Sequence, residues 1–286
     1  MNIILYHSRK IILCYLISIV ASNLAYAAES SPKDIFIEAE SNQTAFYPQS
    51  QVIYTVCLYF RIPMQNAALT DPHADKLTSY RLSEGTVYQT ERDGVPYRVL
   101  KRKYALFPHA SGDIIIAPVI FTGTDLLLGR RIFAQGPRVK LNVQTIPRAA
   151  SNVMWLPANH LSLTEKWSSY PLKFQIGEPV TRVITLQAQG VMETQLPDLS
   201  NDLLMALPHT IKTYIDPPQS TMESSDNGVI VKRQWKITYI PINATGDHGA
   251  QSQSTVQLPR IEIPWWNNKI HRIEKAELAA LFIPFN

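Results

Sequence analysis

Apolar and polar residues alternate with a period of two along much of the chain. The clearest run is Val52–Phe60, where one face of the predicted strand carries Val52, Tyr54, Val56, Leu58 and Phe60. The segment 180–188 repeats the pattern, with Arg182 interrupting the apolar face near one end. Short runs rich in Val, Ile, Thr, Tyr and Phe, separated by Pro, Gly, Asn and Asp clusters, predict an all-β fold.

Convincing helical periodicity is scarce in the rest of the chain, and further strands are predicted instead. They cover 35–40, 87–91, 98–107, 114–120, 138–144, 211–215, 229–239, 254–258 and 276–283. Pro118 and Pro259 fall within the strand-like runs 117–121 and 258–263. Because Pro lacks the amide hydrogen that a ladder needs, we expect both runs at sheet edges.

The two halves of the chain repeat one order of segments. In each half an extended strand is followed by a turn and by a long basic and aromatic strand, which ends at Pro108 or at Pro241. Two copies of one domain explain this repeat. The sequence therefore predicts tandem immunoglobulin-like β-sandwich domains over 30–147 and 150–286, joined at a polar stretch that contains Pro147.

Residues 1–27 have the pattern of a secretory signal peptide. Arg9 and Lys10 precede the apolar run 11–21, and Ala25 and Ala27 supply small residues for cleavage. The run is shorter than the roughly 20 apolar residues that a spanning helix needs. We expect export to the periplasm, with a retained N-terminal anchor as the alternative.

Composition and charge exclude several classes of protein. The 286 residues are 45% hydrophobic, which is too apolar for a disordered chain. Lys and Arg number 27 against 23 Asp and Glu, an excess too small to predict a nucleic-acid binder. Cys14 and Cys57 are the only cysteines, so neither a disulfide framework nor a cysteine zinc site is expected.

No recognised motif for nucleotide binding, nucleophilic catalysis or zinc hydrolysis is present, so we expect no enzyme, cofactor or metal site. In an extended strand, Asp71, His73 and Asp75 would share one side and could hold a metal, but Asp-Pro is more typical of a polar turn. Cys57 faces away from the apolar side of its strand. We favour a packed, unreactive thiol at this position over a reactive one. Basic residues are grouped at 101–103 and again at 232–233. We favour the interpretation that they protect strand edges against aggregation; the alternative is that they form a binding stripe.

Several strings of the chain resemble the BatD, or oxygen-tolerance, family. They are LTDP (69–72), YQTERDGVPYRV (88–99), RKYALFP (102–108), WLPA (155–158), LSLTEKW (161–167), GEPVTR (177–182), QLP (195–197) and EIPWW (262–266). The resemblance implies a periplasm-facing, membrane-associated β protein without catalysis. It also implies partners among von Willebrand A-domain membrane proteins and a MoxR-type ATPase system. Members usually continue into a spanning helix, and this sequence contains no such C-terminal segment.

The expected function is therefore that of a non-enzymatic scaffold that supports oxygen or envelope-stress tolerance through protein partners. The alternatives are a carbohydrate-binding module and, less favoured, a metal-dependent enzyme. All five tryptophans lie in the second half and could stack on sugars, although core positions are more typical of indoles. Because alternation keeps Trp265 and Trp266 from entering one core, one ring is expected to be exposed as a partner anchor. The alternative is that this ring covers a domain end or the other domain.

Overall fold

The structure is a computed structural model that describes residues 33–43, 45–170, 172–205, 210–242 and 255–284. The predicted signal peptide lies outside the described residues. From Ile35 onward the chain forms one compact unit.

Eleven strands make up the first half of this unit. They are β1 (Ile35–Ser41), β2 (Ala45–Phe46), β3 (Val52–Phe60), β4 (Met64–Leu69), β5 (Leu77–Arg81), β6 (Thr86–Arg92), β7 (Val95–Pro108), β8 (Gly112–Ile116), β9 (Ile120–Asp125), β10 (Arg131–Gln135) and β11 (Val139–Val143). A five-stranded sheet has the order β1-β3-β7-β5, with β6 also paired to β7. Two three-stranded sheets, β10-β9-β4 and β2-β11-β8, complete this half.

Ten strands and one short helix make up the second half. They are β12 (Pro157–Ala158), β13 (His160–Trp167), β14 (Val180–Gln189), α1 (Ser200–Met205), β15 (Ile211–Ile215), β16 (Gln219–Ser225), β17 (Gly228–Pro241), β18 (Thr255–Leu258), β19 (Ile261–Asn267), β20 (Arg272–Leu278) and β21 (Leu281–Pro284). Short 3-10 turns lie at Arg148–Ala150 and Glu193–Gln195. The sheets are β13-β14-β17-β15 with β16 on β17, then β12-β19-β20 and β18-β21.

The two five-stranded sheets have the same topology. In each half a central strand of 14 residues, β7 or β17, ends in Pro and pairs with one long strand on one side and two short strands on the other. Val52 pairs with Leu106 in the first half, as Val180 pairs with Tyr239 in the second. The predicted all-β tandem sandwich is confirmed.

Alternate residues of the long strands β3 and β14 contribute to two separate cores. The core of the first half contains the alternate β3 residues Val52, Tyr54, Val56 and Leu58. The core of the second half contains the alternate β14 residues Val180, Ile184, Leu186 and Ala188. Burying this apolar surface is the main stabilising contribution. Arg182 also lies on the buried face, where its Nε donates to Glu165 at 2.7 Å.

The prediction that the Pro-containing runs lie at sheet edges is wrong. The predicted strand 114–120 is two strands, because residues 117–119 connect β8 to β9, and β9 is the central strand of its sheet. In the second half Pro259 lies between β18 and β19, and β19 lies between β12 and β20. Both prolines occupy connections, where the chain needs no ladder donor, and so they do not constrain the neighbouring strands.

The β16–β17 hairpin of the second half packs against the first half. Val229, the second residue of β17, is fully buried with Leu82, Ala105 and Phe107 of the first half. Its amide donates to Gln51 Oε1 at 2.9 Å. Polar contacts surround this cluster: Lys103 pairs with Asp226 at 3.2 Å, Ser224 Oγ donates to the Leu82 carbonyl at 3.1 Å, and Trp155 Nε1 donates to the Pro48 carbonyl at 2.9 Å.

Gly228 permits this close approach. Its φ is +115°, and a Cβ at this position would lie 2.0–2.5 Å from the side-chain amide of Gln51. No side chain fits there unless Gln51 moves and its hydrogen bond to Val229 breaks. Gly94, in the equivalent β6–β7 hairpin, has a φ of +75° but nothing within 4 Å of an added Cβ.

We predict that Gly228→Ala destabilises the protein more than Gly94→Ala. Both substitutions place a side chain at positive φ, which costs about 1–3 kcal/mol. Only Gly228→Ala also crowds Gln51, and overpacking adds a further 1–3 kcal/mol or so. Urea unfolding measures both losses, and Gln51→Ala combined with Gly228→Ala should recover part of the additional loss. Equal losses for the two single variants would show that Gln51 does not restrict Gly228.

Candidate functional site

Asp71, His73 and Asp75 do not form a metal site. All three are exposed in a segment that is not a strand, so the alternation that would align them is absent. Asp71 instead accepts hydrogen bonds from Arg81 at 2.7 and 3.0 Å and from the Tyr104 hydroxyl at 2.9 Å. Across the part of the chain that the structure describes, no three His, Cys, Asp or Glu side chains gather as metal ligands.

The five tryptophans offer no exposed ring. Trp155 and Trp167 are half-buried, and Trp235, Trp265 and Trp266 are buried. The prediction that Trp265 or Trp266 is exposed is therefore wrong, and the argument for them as a partner anchor loses its premise. No indole is fully exposed, which weakens the case for a sugar-binding platform built on these rings.

Alternation does send the two adjacent rings to opposite sides, as expected. Trp265 packs into the core of the second half. Trp266 instead lies against Tyr47 of the first half, with ring centroids 5.5 Å apart, and 5.9 Å from Trp155 of its own half. Trp266 is thus buried because the first half covers it.

The basic runs belong to interior strands, so the edge-protection interpretation is wrong for them. β7 and β17 are each paired on both sides. Lys103 contributes to the contact between the halves, and Arg102 Nε donates to the Glu84 carbonyl at 3.0 Å. Arg233 holds a loop of the second half through the Leu196 and Pro197 carbonyls, at 2.8 and 3.2 Å.

An aromatic face covers the outer side of the first five-stranded sheet, and we define it by Phe36, Tyr59, Tyr88 and Tyr97. Phe36 and Tyr59 are stacked with ring centroids 4.5 Å apart, and Tyr97 meets Phe36 edge-on at 5.4 Å. Tyr59 and Tyr88 lie on either side of Val99 in the ladder. Val99 is fully buried, so these rings shield an apolar position that points away from the core.

Charged groups of both signs border the aromatic face. Arg92 lies over the Phe36 and Tyr59 rings, 5.5 Å from each centroid, and pairs with Glu38. Cation–π contacts of this kind stabilise the arrangement of the side chains. A groove of about 760 Å³ continues from the face; its lining includes Glu40, Cys57, Lys101 and the loop at 135–137.

Cys57 and Tyr59, which line the groove, both have a raised pKa. Burial raises the pKa of the Cys57 thiol; Lys101 opposes this effect, and Glu38 and Glu40 add to it. Burial, followed by the hydrogen bond and charge of Glu38, raises the pKa of Tyr59 to about 12. At neutral pH both groups are therefore protonated, and Cys57 has the character of an unreactive thiol.

The second half has the same ladder without the aromatic residues. Phe36, Tyr59, Val99 and Tyr88 form one cross-strand row. The equivalent row in the second half consists of Ser162, Gln187, Lys232 and Thr221. Since the same fold forms with polar residues in this row, the aromatic face is not required by the fold. Aromatic residues at outward-facing strand positions are the sequence feature that could have predicted this face, but they were not recognised as such from the sequence alone.

Comparison with known proteins identifies no family. No family model matches the chain, and no curated protein matches it. Several solved structures do. A type II cohesin dyad from the ScaA scaffoldin of Acetivibrio cellulolyticus has 8% identity and a TM-score of 0.24, and the match covers 73% of this chain and 85% of that one. The Yersinia pseudotuberculosis adhesin InvE has 14% identity and a TM-score of 0.22, with 88% of this chain and 59% of that one covered.

A third match is the C-terminal domain of the Streptococcus agalactiae AgI/II polypeptide BspA, at 10% identity and a TM-score of 0.22, covering 87% of this chain and 99% of that one. All three TM-scores are below 0.5, so these likenesses carry no argument about function. No helix within the described ranges is both long enough and apolar enough to cross a membrane.

The pKa of Cys57 generates a prediction for thiol reactivity. In a Cys14→Ser protein, alkylation of Cys57 at about pH 8 should be slower than in the urea-unfolded chain, because the raised pKa leaves less thiolate. Glu40→Gln should speed the reaction, since this carboxylate raises the pKa of Cys57, and Lys101→Gln should slow it. Stopped-flow alkylation across pH measures each rate. Identical rates in all three proteins would contradict the electrostatic account.

Proposed function

We propose that this protein is an exported, non-enzymatic scaffold that binds another protein through the aromatic face of its first sandwich. The observation that carries the proposal is the contrast between the two halves. Phe36, Tyr59 and Tyr88 occupy ladder positions where the second half has Ser162, Gln187 and Thr221. Aromatic residues that the fold does not need, and that are not covered by the other half, are typical of binding surfaces.

The chemistry of the face favours a protein ligand over a sugar. Tyr and Arg are enriched in the centres of protein interfaces, and both are present here in Tyr59, Tyr88 and Arg92. The faces of Phe36 and Tyr59 already stack on each other and carry Arg92 above them, which leaves these two rings little open face for a sugar. The same stacking fixes the side chains in advance, which lowers the entropy that binding would cost.

The proposed location and partners rest on the sequence. The leader at 1–27 supports export to the periplasm, where association with the inner membrane would place the protein beside its partners. The strings that resemble the BatD family support von Willebrand A-domain membrane proteins, together with their MoxR-type ATPase system, as those partners. In this proposal the protein contributes to oxygen or envelope-stress tolerance.

The test measures binding of the purified protein to the periplasmic part of the von Willebrand A-domain protein from the same genome. Tyr59→Gln and Tyr88→Thr replace each ring with the residue found at the equivalent position of the second half. We expect the double variant to bind at least about ten times more weakly, since each lost hot-spot ring costs about 1–2 kcal/mol. Biolayer interferometry gives the affinities.

Tyr214→Thr is the matched control, because Tyr214 is a tyrosine of the second half with 57% of its surface exposed. This variant should bind as the parent does, and all variants should keep the parent's melting temperature within a few degrees. Unchanged affinity of the double variant would remove the aromatic face as the binding surface. Failure of the parent to bind would remove the proposed partner.

A further inference from the structure

Three consecutive leucines are exposed at one tip of the first sandwich. Leu126, Leu127 and Leu128 form the turn between β9 and β10, with 52%, 79% and 66% of their surface exposed. Single exposed apolar residues are ordinary, but a run of three at a loop tip costs solubility and is uncommon without a function. We call these three residues the leucine tip.

The leucine tip is held in place by its own turn. The side chain of Asp125 is buried, and its Oδ1 accepts hydrogen bonds from the amides of Leu127 and Leu128 at 2.9 and 3.1 Å. Gly129, at a φ of +65°, donates to the Asp125 carbonyl at 2.9 Å. The Leu126 amide donates to the Pro63 carbonyl at 3.1 Å. These bonds fix a backbone that points the leucines outward, so their exposure is built into the turn.

Arginines accompany the leucine tip. Arg130 and Arg131 follow it after Gly129 and are exposed, and Arg61 is exposed two residues before Pro63. A depression of about 690 Å³ shares Pro63 with the tip, and its lining includes Arg61 and Arg98 but no carboxylate. The carboxylate of Asp125 is buried in the turn, where its Oδ2 pairs with Nε of Arg130 at 3.4 Å. This end of the sandwich therefore combines exposed leucines with a cationic border.

The leucine tip lies at the end of the first sandwich that is remote from the second sandwich. Asp125 pairs with Met64, four residues beyond Phe60 at the end of β3. The other end of β3 begins just after Gln51, which bonds Val229 of the second half. The chain also enters the sandwich near the tip, because Ile35 of β1 pairs with Phe60. The contacts between the described residues of the two halves lie at the other end, around Gln51 and Tyr47.

We propose that the leucine tip inserts into the surface of a lipid bilayer that contains anionic lipids. Each of the three side chains has more than half of its surface exposed, so a partner must surround the tip to cover all of them. A bilayer surrounds an inserted tip on every side, and the neighbouring arginines then lie at the depth of the lipid phosphates. A single apolar anchor gives weak, reversible attachment, so the bilayer contact depends on the anionic charge as well.

Vesicle co-sedimentation tests the proposal with the purified protein. Phosphatidylcholine vesicles containing about 30 mol% phosphatidylglycerol should bind the parent, and pure phosphatidylcholine should bind it at least about ten times more weakly. Replacing all three leucines by Ser should abolish binding to both. Arg130→Gln with Arg131→Gln should remove most of the preference for anionic vesicles. About 0.5 M salt should have the same effect, because it screens the arginines.

Matched controls distinguish binding through the leucine tip from nonspecific adsorption to vesicles. Phe282→Ser removes an apolar side chain that is 66% exposed in the second half, and Arg272→Gln removes an exposed cation there; both should bind vesicles as the parent does. An environment-sensitive dye on Leu127→Cys, in a background without Cys14 and Cys57, should shift to shorter wavelength when vesicles are added. The same dye on Tyr170→Cys, where the native residue is 98% exposed, should not shift.

Two results would overturn the proposal. The first is that anionic vesicles do not bind the parent protein, or that they bind the triple Ser variant as strongly as the parent. The other is a triple Ser variant that keeps vesicle binding but loses the von Willebrand A-domain partner, which would make the tip a protein-docking surface. The proposed function is tested separately, because Tyr59→Gln with Tyr88→Thr changes partner binding and should leave vesicle binding as it is.

Discussion

The contact between Gly228 and Gln51 is the constraint on which the arrangement of the two sandwiches depends. Only a residue without a Cβ lets the β16–β17 hairpin approach closely enough for the Val229 amide to bond Gln51. Once the hairpin is seated, Val229 packs among first-half residues and Asp226 reaches Lys103. Trp266 is buried against Tyr47 in the same contact between the halves. A small glycine thus determines which large side chains are hidden from solvent.

The two halves share a topology but carry different side chains on the outer face of the five-stranded sheet. Both five-stranded sheets place a 14-residue strand at the centre and bury alternate residues on the inner side. On the outer side, one row carries Phe36, Tyr59 and Tyr88, and the equivalent row carries Ser162, Gln187 and Thr221. The inner face is constrained by packing density, whereas the outer face is free to diverge. Differences between the halves therefore concentrate where a partner could be contacted.

The first sandwich carries both proposed binding surfaces, and the second sandwich holds it from one end. The aromatic face lies on the outer side of the first sheet, and the leucine tip lies at the end remote from Gln51. A protein partner and a bilayer could then be engaged at the same time without competing for residues.

Period-two alternation was enough to predict the bounds of β3 and β15 and the presence of the long strands β7 and β17, because these depend on local burial that the sequence records directly. The tandem sandwich was predicted from the repeated order of segments in the two halves. Alternation also predicted that Trp265 and Trp266 point to opposite sides. It could not predict that the first half covers Trp266, that Pro118 and Pro259 lie between strands, or that Asp71 is held by Arg81 and Tyr104. Nor did it reveal the aromatic face. An outward side chain has the same sequence pattern whether solvent, another ring or another domain lies beyond it, and only the tertiary structure decides which of these it meets.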